Sequence, residues 1–193
     1  MTGRHGDRTR QQYTMVAASG VAAPIVEQKL QAVSEESDDA NEKLLKRARS
    51  TAYRYLTIRP RSSVEVEHKL HERKFPPDIV SSVIAHLIKL GYLNDEQFAR
   101  QWAASRVRSR GFGRRRLEQE LRSKGISRDT IKDTLDALFE EAPEADVARK
   151  EAAKKLRTLT RFEPEVRRRR LAGFLERKGY SSEIIRNVLR SVR

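Results

Sequence analysis

The sequence predicts an all-α protein of three tandem three-helix repeats in an elongated array, behind a disordered N-terminal leader. Three observations predict it. First, one six-position apolar pattern occurs three times, anchored on Leu70, Leu121 and Leu175. Val66, Leu117 and Leu171 stand four residues before the anchors; Phe75, Ile126 and Tyr180 stand five after. Val80, Ile131 and Ile185, then Ile84, Leu135 and Leu189, then Leu87, Leu138 and Val192 follow at ten, fourteen and seventeen. Such self-similarity marks an array of like supersecondary units. Second, the spacing is helical, with one face before each anchor and a second face beyond it. Third, a helix stop stands between the two faces in every copy.

The repeats are bounded at 41–93, 94–142 and 143–193, behind a leader over 1–40. The leader has few large apolar groups and a net charge of −2, ending in Ser34-Glu35-Glu36-Ser37-Asp38-Asp39, a composition that does not support a packed core. Arg4, Arg8 and Arg10 precede a weakly apolar run, Met15 to Val26, which Pro24 interrupts. That run falls short of a signal peptide, and Met15 offers an alternative start.

The first helix of repeat one covers about 41–57, with Leu45, Ala52 and Leu56. Ser62 and Glu65 form a capping box that starts the second. Pro76 and Pro77 enforce its end, where Lys74 takes the place that glycine holds in the other repeats. The third helix runs to Gly91, and Tyr92-Leu93 joins repeats one and two with almost no linker. Asn94 and Gln97 repeat the capping pattern before a helix over about 95–109, with Phe98, Ala99, Trp102 and Val107. Gly111-Phe112-Gly113 is the turn before the next helix, which stops at Gly125 with Ile126 packing back. A helix carrying Ile131, Leu135 and Leu138 completes repeat two. Repeat three opens with a helix over about 144–159, with Val147, Leu156 and Leu159. Pro164 suits a first-turn position, and Gly179 with Tyr180 repeats the glycine stop. Each of the eighteen repeated apolar positions contributes about 1.5–3 kcal/mol when buried. Chain entropy cancels most of that, so a lone unit of roughly 50 residues is marginal and needs its neighbours.

The chain has no cysteine, which excludes disulfides, thiolate metal sites and a cysteine nucleophile and fits a reducing cytoplasm. No apolar run approaches the roughly 18–20 residues that span a bilayer. There is no phosphate-binding GxxxxGK[ST] loop and no GxSxG elbow. His68, His71 and His86 lack the HExxH pattern of a metal site, and no carboxylate pair stands out as acid and base. The sequence therefore names no catalytic residue, cofactor or metal.

The basic signal is stronger. The whole chain carries a net charge of +14, so the part beyond residue 40 carries +16, which points to a polyanion or an acidic protein surface. Arg106, Arg108, Arg110, Arg114, Arg115 and Arg116 fall within eleven residues around one turn. Arg167, Arg168, Arg169 and Arg170 form a second cluster, and Arg59 and Arg61 take the matching place in repeat one. Guanidinium forks suit bidentate phosphate contact. These twelve arginines are the candidate binding residues. Few aromatics accompany them, so a base-stacking platform is not indicated. An acidic stretch over 129–146 serves either helix solubility or contact with basic groups of a neighbouring unit or partner.

Tyr53-Arg54-Tyr55-Leu56 followed by Arg59-Pro60-Arg61-Ser62 resembles the opening motif of the RecX family. Gly91-Tyr92-Leu93-Asn94-Asp95-Glu96-Gln97-Phe98-Ala99, with Trp102 and Arg106, is similar to its central signature. Gly113, Leu117, Glu120-Leu121 and Lys124-Gly125-Ile126 resemble the segment that follows. The resemblance covers roughly 42–193, and repeat three matches by pattern. It implies a bacterial, cytoplasmic, non-enzymatic regulator of tandem three-helix repeats. Members lie in the groove of RecA filaments on DNA and mainly inhibit ATP hydrolysis, strand exchange and coprotease activity, with consequences for DNA repair and the SOS response. The partners so implied are the RecA filament and the DNA backbone, with no membrane, and the protein is expected to be a monomer. The residues also fit a sequence-tolerant DNA- or RNA-binding array that acts by occupying nucleic acid. Tyr92, Leu93, Phe98 and Trp102 are expected in the core and junctions, with Asn94 as a cap.

Overall fold

The computed structural model describes the backbone of residues 23–191 and the side chains of residues 40–191. Among the described residues there are nine α-helices and no strand. Unit one contains α1 (Ala23–Leu56), α2 (Ser63–Glu72) and α3 (Pro77–Lys89). Unit two contains α4 (Asp95–Arg110), α5 (Arg114–Ser123) and α6 (Arg128–Glu141). Unit three contains α7 (Glu144–Leu156), α8 (Pro164–Arg177) and α9 (Ser182–Ser191). Helix α1 starts N-terminal to the expected residue 41, because the chain between Pro24 and Asn41 holds no glycine or proline and several good helix formers. The first 22 residues of the expected leader lie outside the described residues.

Each unit has its own core. Val66, Leu70, Val80 and Leu87 meet Ala48 and Ala52 in unit one. Leu117, Leu121, Ile126, Ile131 and Leu135 meet Phe98, Ala99 and Ala103 in unit two. Leu171, Leu175 and Tyr180 meet Ala148, Ala152 and Val188 in unit three. Small alanines on the first helix let the second and third approach closely. Of the eighteen repeated positions, Phe75, Ile84, Leu138, Ile185 and Leu189 are half-buried, Val192 lies outside the described residues, and the other twelve are buried.

The middle helices of all three units end in the same turn. In unit one, Phe75 N–H donates to Leu70 O at 3.3 Å and Lys74 N–H to His71 O at 2.8 Å. Ile126 and Gly125, then Tyr180 and Gly179, repeat that pair of bonds. The residue at the bend has φ of 61° at Lys74, 77° at Gly125 and 88° at Gly179. The lysine thus makes the turn that glycine makes elsewhere, in the left-handed region that side chains disfavour.

The Ser62–Glu65 capping box forms with both arms. At Asn94 only one arm forms: its side chain accepts from Gln97 N–H at 2.8 Å, and the exposed Gln97 side chain returns no bond. Tyr92 departs from expectation. Leu93 and Phe98 are buried and Trp102 half-buried, but Tyr92 is 58% exposed. Its ring meets Tyr53 edge-on at 5.2 Å on the outside of unit one. The left-handed Gly91 (φ 75°) turns the chain there, sending Leu93 inward and Tyr92 outward.

Candidate interaction surface

The units are joined by one device used twice: the start of a middle helix sits on the closing turn of the next unit's middle helix. At the first junction Ser62, fully buried, donates its hydroxyl to Lys124 O at 2.6 Å while accepting from Glu65 N–H. Ser63 N–H, the first of α2, donates to the Asp95 carboxylate at 2.8 Å. Lys124 Nζ reaches back to Glu65 Oε1 at 2.7 Å. At the second junction Gly113 N–H donates to Lys178 O at 2.8 Å and Arg115 N–H to Gly179 O at 3.1 Å. Arg114 N–H, the first of α5, donates to Glu144 Oε1 at 2.8 Å. Lys178 Nζ donates to Arg110 O, and the Tyr180 hydroxyl to Gly111 O at 2.8 Å. Orphan amides of one helix start thus meet orphan carbonyls of another helix end.

This close approach is the second reason for glycine at the turns. A Cβ on Gly125 would lie 2.4 Å from Val64 Cγ2, and one on Gly179 2.4 Å from the Arg116 nitrogen.

The twelve candidate arginines divide into two sets. Arg59 and Arg61 converge on Glu65, at 2.8 Å and 3.9 Å. Arg61 is enclosed, with its side chain 11% exposed and its guanidinium 4.0 Å over the Tyr55 ring. Arg106 and Arg116 converge on Glu120, at 3.2 Å and 3.6 Å, and Trp102 Nε1 donates to the same carboxylate at 3.0 Å. Arg114 pairs with Asp136 at 2.5 Å, and Arg170 lies 4.0 Å over the Phe162 ring. These six side chains have partners within the fold. Arg108, Arg110, Arg115, Arg167, Arg168 and Arg169 make no ion pair among the described residues, and all but the half-buried Arg167 are exposed.

Their placement differs from one simple recurrence. Arg59 and Arg61 precede α2, and Arg114 opens α5. Arg167–Arg170 instead lie about a turn inside α8, because that helix starts at Pro164. Four consecutive residues on a helix, about 100° apart, point to different sides.

Burial pushes the Glu65 carboxyl up, but hydrogen bonds from Arg59, Lys124 and Ser62 N–H outweigh it and hold the group below the ordinary glutamate range. Glu151 is likewise held low: burial opposes, and Lys154 and Lys178 prevail. Glu144 is pushed up by its burial, which the Arg114 N–H only partly offsets. Burial drives the Tyr180 hydroxyl well above its usual range, and the Glu151 and Glu144 charges add to that. Within the acidic stretch, Glu144 accepts from a backbone N–H across a junction, while Asp136 pairs with Arg114 and Lys132 of its own unit. Sequence reasoning missed the basic residue three places after each anchor, Arg73, Lys124 and Lys178. Superposing the three repeats would have shown it.

Among the described residues no group of three or more His, Asp and Glu side chains stands together as a metal site, and no helix is long and apolar enough to cross a membrane. The architecture is that of a tandem helical-repeat protein, a class that presents long continuous surfaces. Comparisons with known proteins specify it further. Models of the first, second and third three-helix domains of RecX match residues 48–87, 94–135 and 143–189. The chain is 37% identical over 152 residues to a regulatory protein RecX from Thermobifida fusca, covering 78% of this chain and 81% of that one. It is 36% identical to the regulatory protein RecX of Streptomyces coelicolor, covering 76% and 77%. The crystal structure of RecX from Lactobacillus salivarius has the same fold, with a TM-score of 0.70 at 22% identity over 78% of this chain and 97% of that one. The chain belongs to the RecX family of regulatory proteins.

Proposed function

We propose that this protein binds RecA filaments on DNA in the cytoplasm and mainly inhibits their ATP hydrolysis, strand exchange and coprotease activity, acting as a monomer and not as an enzyme. The observation that carries the reading is the set of arginines that form no ion pair among the described residues, in units two and three of a RecX-family array. Arg108, Arg110 and Arg115 flank one turn, and Arg167, Arg168 and Arg169 stand in α8. Guanidinium groups that the fold does not use are available to phosphate oxygens. Weak contacts repeated along a polymer add by effective concentration, which suits an array of like units to a filament.

The test is ATP hydrolysis by the cognate recombinase on preformed single-strand filaments, with this protein substoichiometric and naked DNA in excess. Strong inhibition is the expected result. Absence of inhibition together with salt-sensitive binding to naked DNA would replace this reading with a plain nucleic-acid binder. Changing Arg108, Arg110 and Arg115 to alanine together is expected to weaken binding without loss of helicity. The slope of log affinity against log salt should fall by about 1 for each phosphate contact removed.

A further inference from the structure

The closing turn of the middle helix is built three times and covered twice. Helix α2 covers the turn at Lys124-Gly125, and the start of α5 covers that at Lys178-Gly179. In both, the basic residue beside the glycine donates to an oxygen of the covering unit: Lys124 to the Glu65 carboxylate, Lys178 to the Arg110 carbonyl. The third copy, Arg73-Lys74 in unit one, is exposed, and Arg73 makes no ion pair or side-chain hydrogen bond among the described residues. Beside it a concavity of about 460 Å³ is lined by Lys46, Arg47, Ser50, Thr51, Arg54, Arg73 and Phe75, and of its cations Lys46 pairs with Glu42 at 2.8 Å. Arg47 and Arg54 are exposed and also make no ion pair among the described residues. Lys74, next to Arg73 in the chain, adds a further cation, and it is the only non-glycine residue with positive φ among those described. Glycine would make this turn without strain and does so in both other units. A side chain kept at a strained position points to a use for it.

We propose that the face formed by Arg47, Arg54, Arg73 and Lys74 docks an acidic segment of a partner protein. This segment stands where a preceding unit would stand and brings carboxylates to the unmatched cations. The inference concerns a surface other than the arginines of units two and three and does not depend on the identity of the filament. A protein segment is favoured over nucleic acid because both covered copies are filled by a helix start, and one of these supplies a carboxylate. Phe75, the aromatic of the concavity, is half-buried against the core of unit one rather than free to stack on a base. The Lys74 side chain also excludes the close backbone approach seen at Gly179, so the partner is held by side-chain charge.

The test titrates the full chain with a fluorescent alanine-rich helical peptide carrying three glutamates in its first turn, its glutamine counterpart, and a short single-stranded oligodeoxynucleotide. The wild type is expected to bind the glutamate peptide and not the glutamine one. Combined Arg47→Ala, Arg54→Ala and Arg73→Ala should weaken that binding roughly tenfold or more, with oligonucleotide affinity and circular dichroism unchanged. Lys74→Gly should raise thermal stability yet still weaken peptide binding, which separates docking from folding. The proposal is overturned if the wild type does not bind the glutamate peptide, or if the combined variant binds it as well as the wild type. Loss of oligonucleotide affinity in that variant would also overturn it, because the face would then be a phosphate site.

Discussion

Ser62 has one hydroxyl and two duties. It caps α2 by accepting from Glu65 N–H, and it donates to the Lys124 carbonyl of the next unit. Ser62→Ala removes the cap, at about 1 kcal/mol, and leaves a part-buried carbonyl unpaired, at roughly 1 kcal/mol more. Urea unfolding should therefore show a loss of about 2 kcal/mol, several times that of an exposed serine such as Ser82 changed to alanine. Gly125→Ala meets two obstacles at once: positive φ, and Val64 at 2.4 Å from the new Cβ. It should destabilise by more than the roughly 1 kcal/mol of a left-handed alanine alone. A midpoint equal to the wild type's would refute the close packing at this junction. The capping role of Ser62 was legible from Glu65 three residues on. Its second bond was not, because that bond is to a backbone atom 62 residues away, and local patterns carry no information on such a partner.

At the scale of the helix, the junctions place carboxylates on helix starts and cations on helix ends, a polarity that complements the helix dipole. Glu65 and Glu151 are held below the ordinary glutamate range, so their contribution to stability is present above the usual value near 4.5 and is lost as pH falls through their lower folded values. Glu144, pushed up, acts with the opposite sign: folding favours its protonated form, and that advantage fades as pH rises through its raised value. Denaturation at pH 7, 5, 4 and 3 should show stability falling below about pH 4.5, with Glu65→Gln flattening the fall and lowering the plateau at pH 7. An identical acid profile in wild type and variant would mean that Glu65 is not linked to folding. The helices themselves were readable from spacing, caps and glycine stops, and their starts at Asp95, Arg114 and Pro164 follow from those signals. The partition of the arginines was not readable. Arg106 and Arg108 look alike in sequence, and only the position of Glu120, on another helix, engages the first and leaves the second free.

Across the whole molecule, three cores are stitched in series by two junctions. Among the described residues the core begins at Leu44, so deletion of residues 1–40 should leave the thermal midpoint of the remainder unchanged. A fall of many degrees on deletion would show that the N-terminal part of α1 braces the array. Number, order and content of the units were visible in the sequence because apolar burial is periodic. The direction of stacking was not, because it rests on main-chain groups that every residue shares. That direction has a consequence for synthesis. The buried hydroxyl of Ser62 and the first amide of α2 wait for Lys124 and Asp95, and the first amides of α5 wait for Glu144, Lys178 and Gly179. A nascent chain emerging from the ribosome therefore holds each unit unfinished until its successor appears. The last segment translated sets the lock on the one before it, and a ribosome stalled between units would release a protein that is loosest at its newest end.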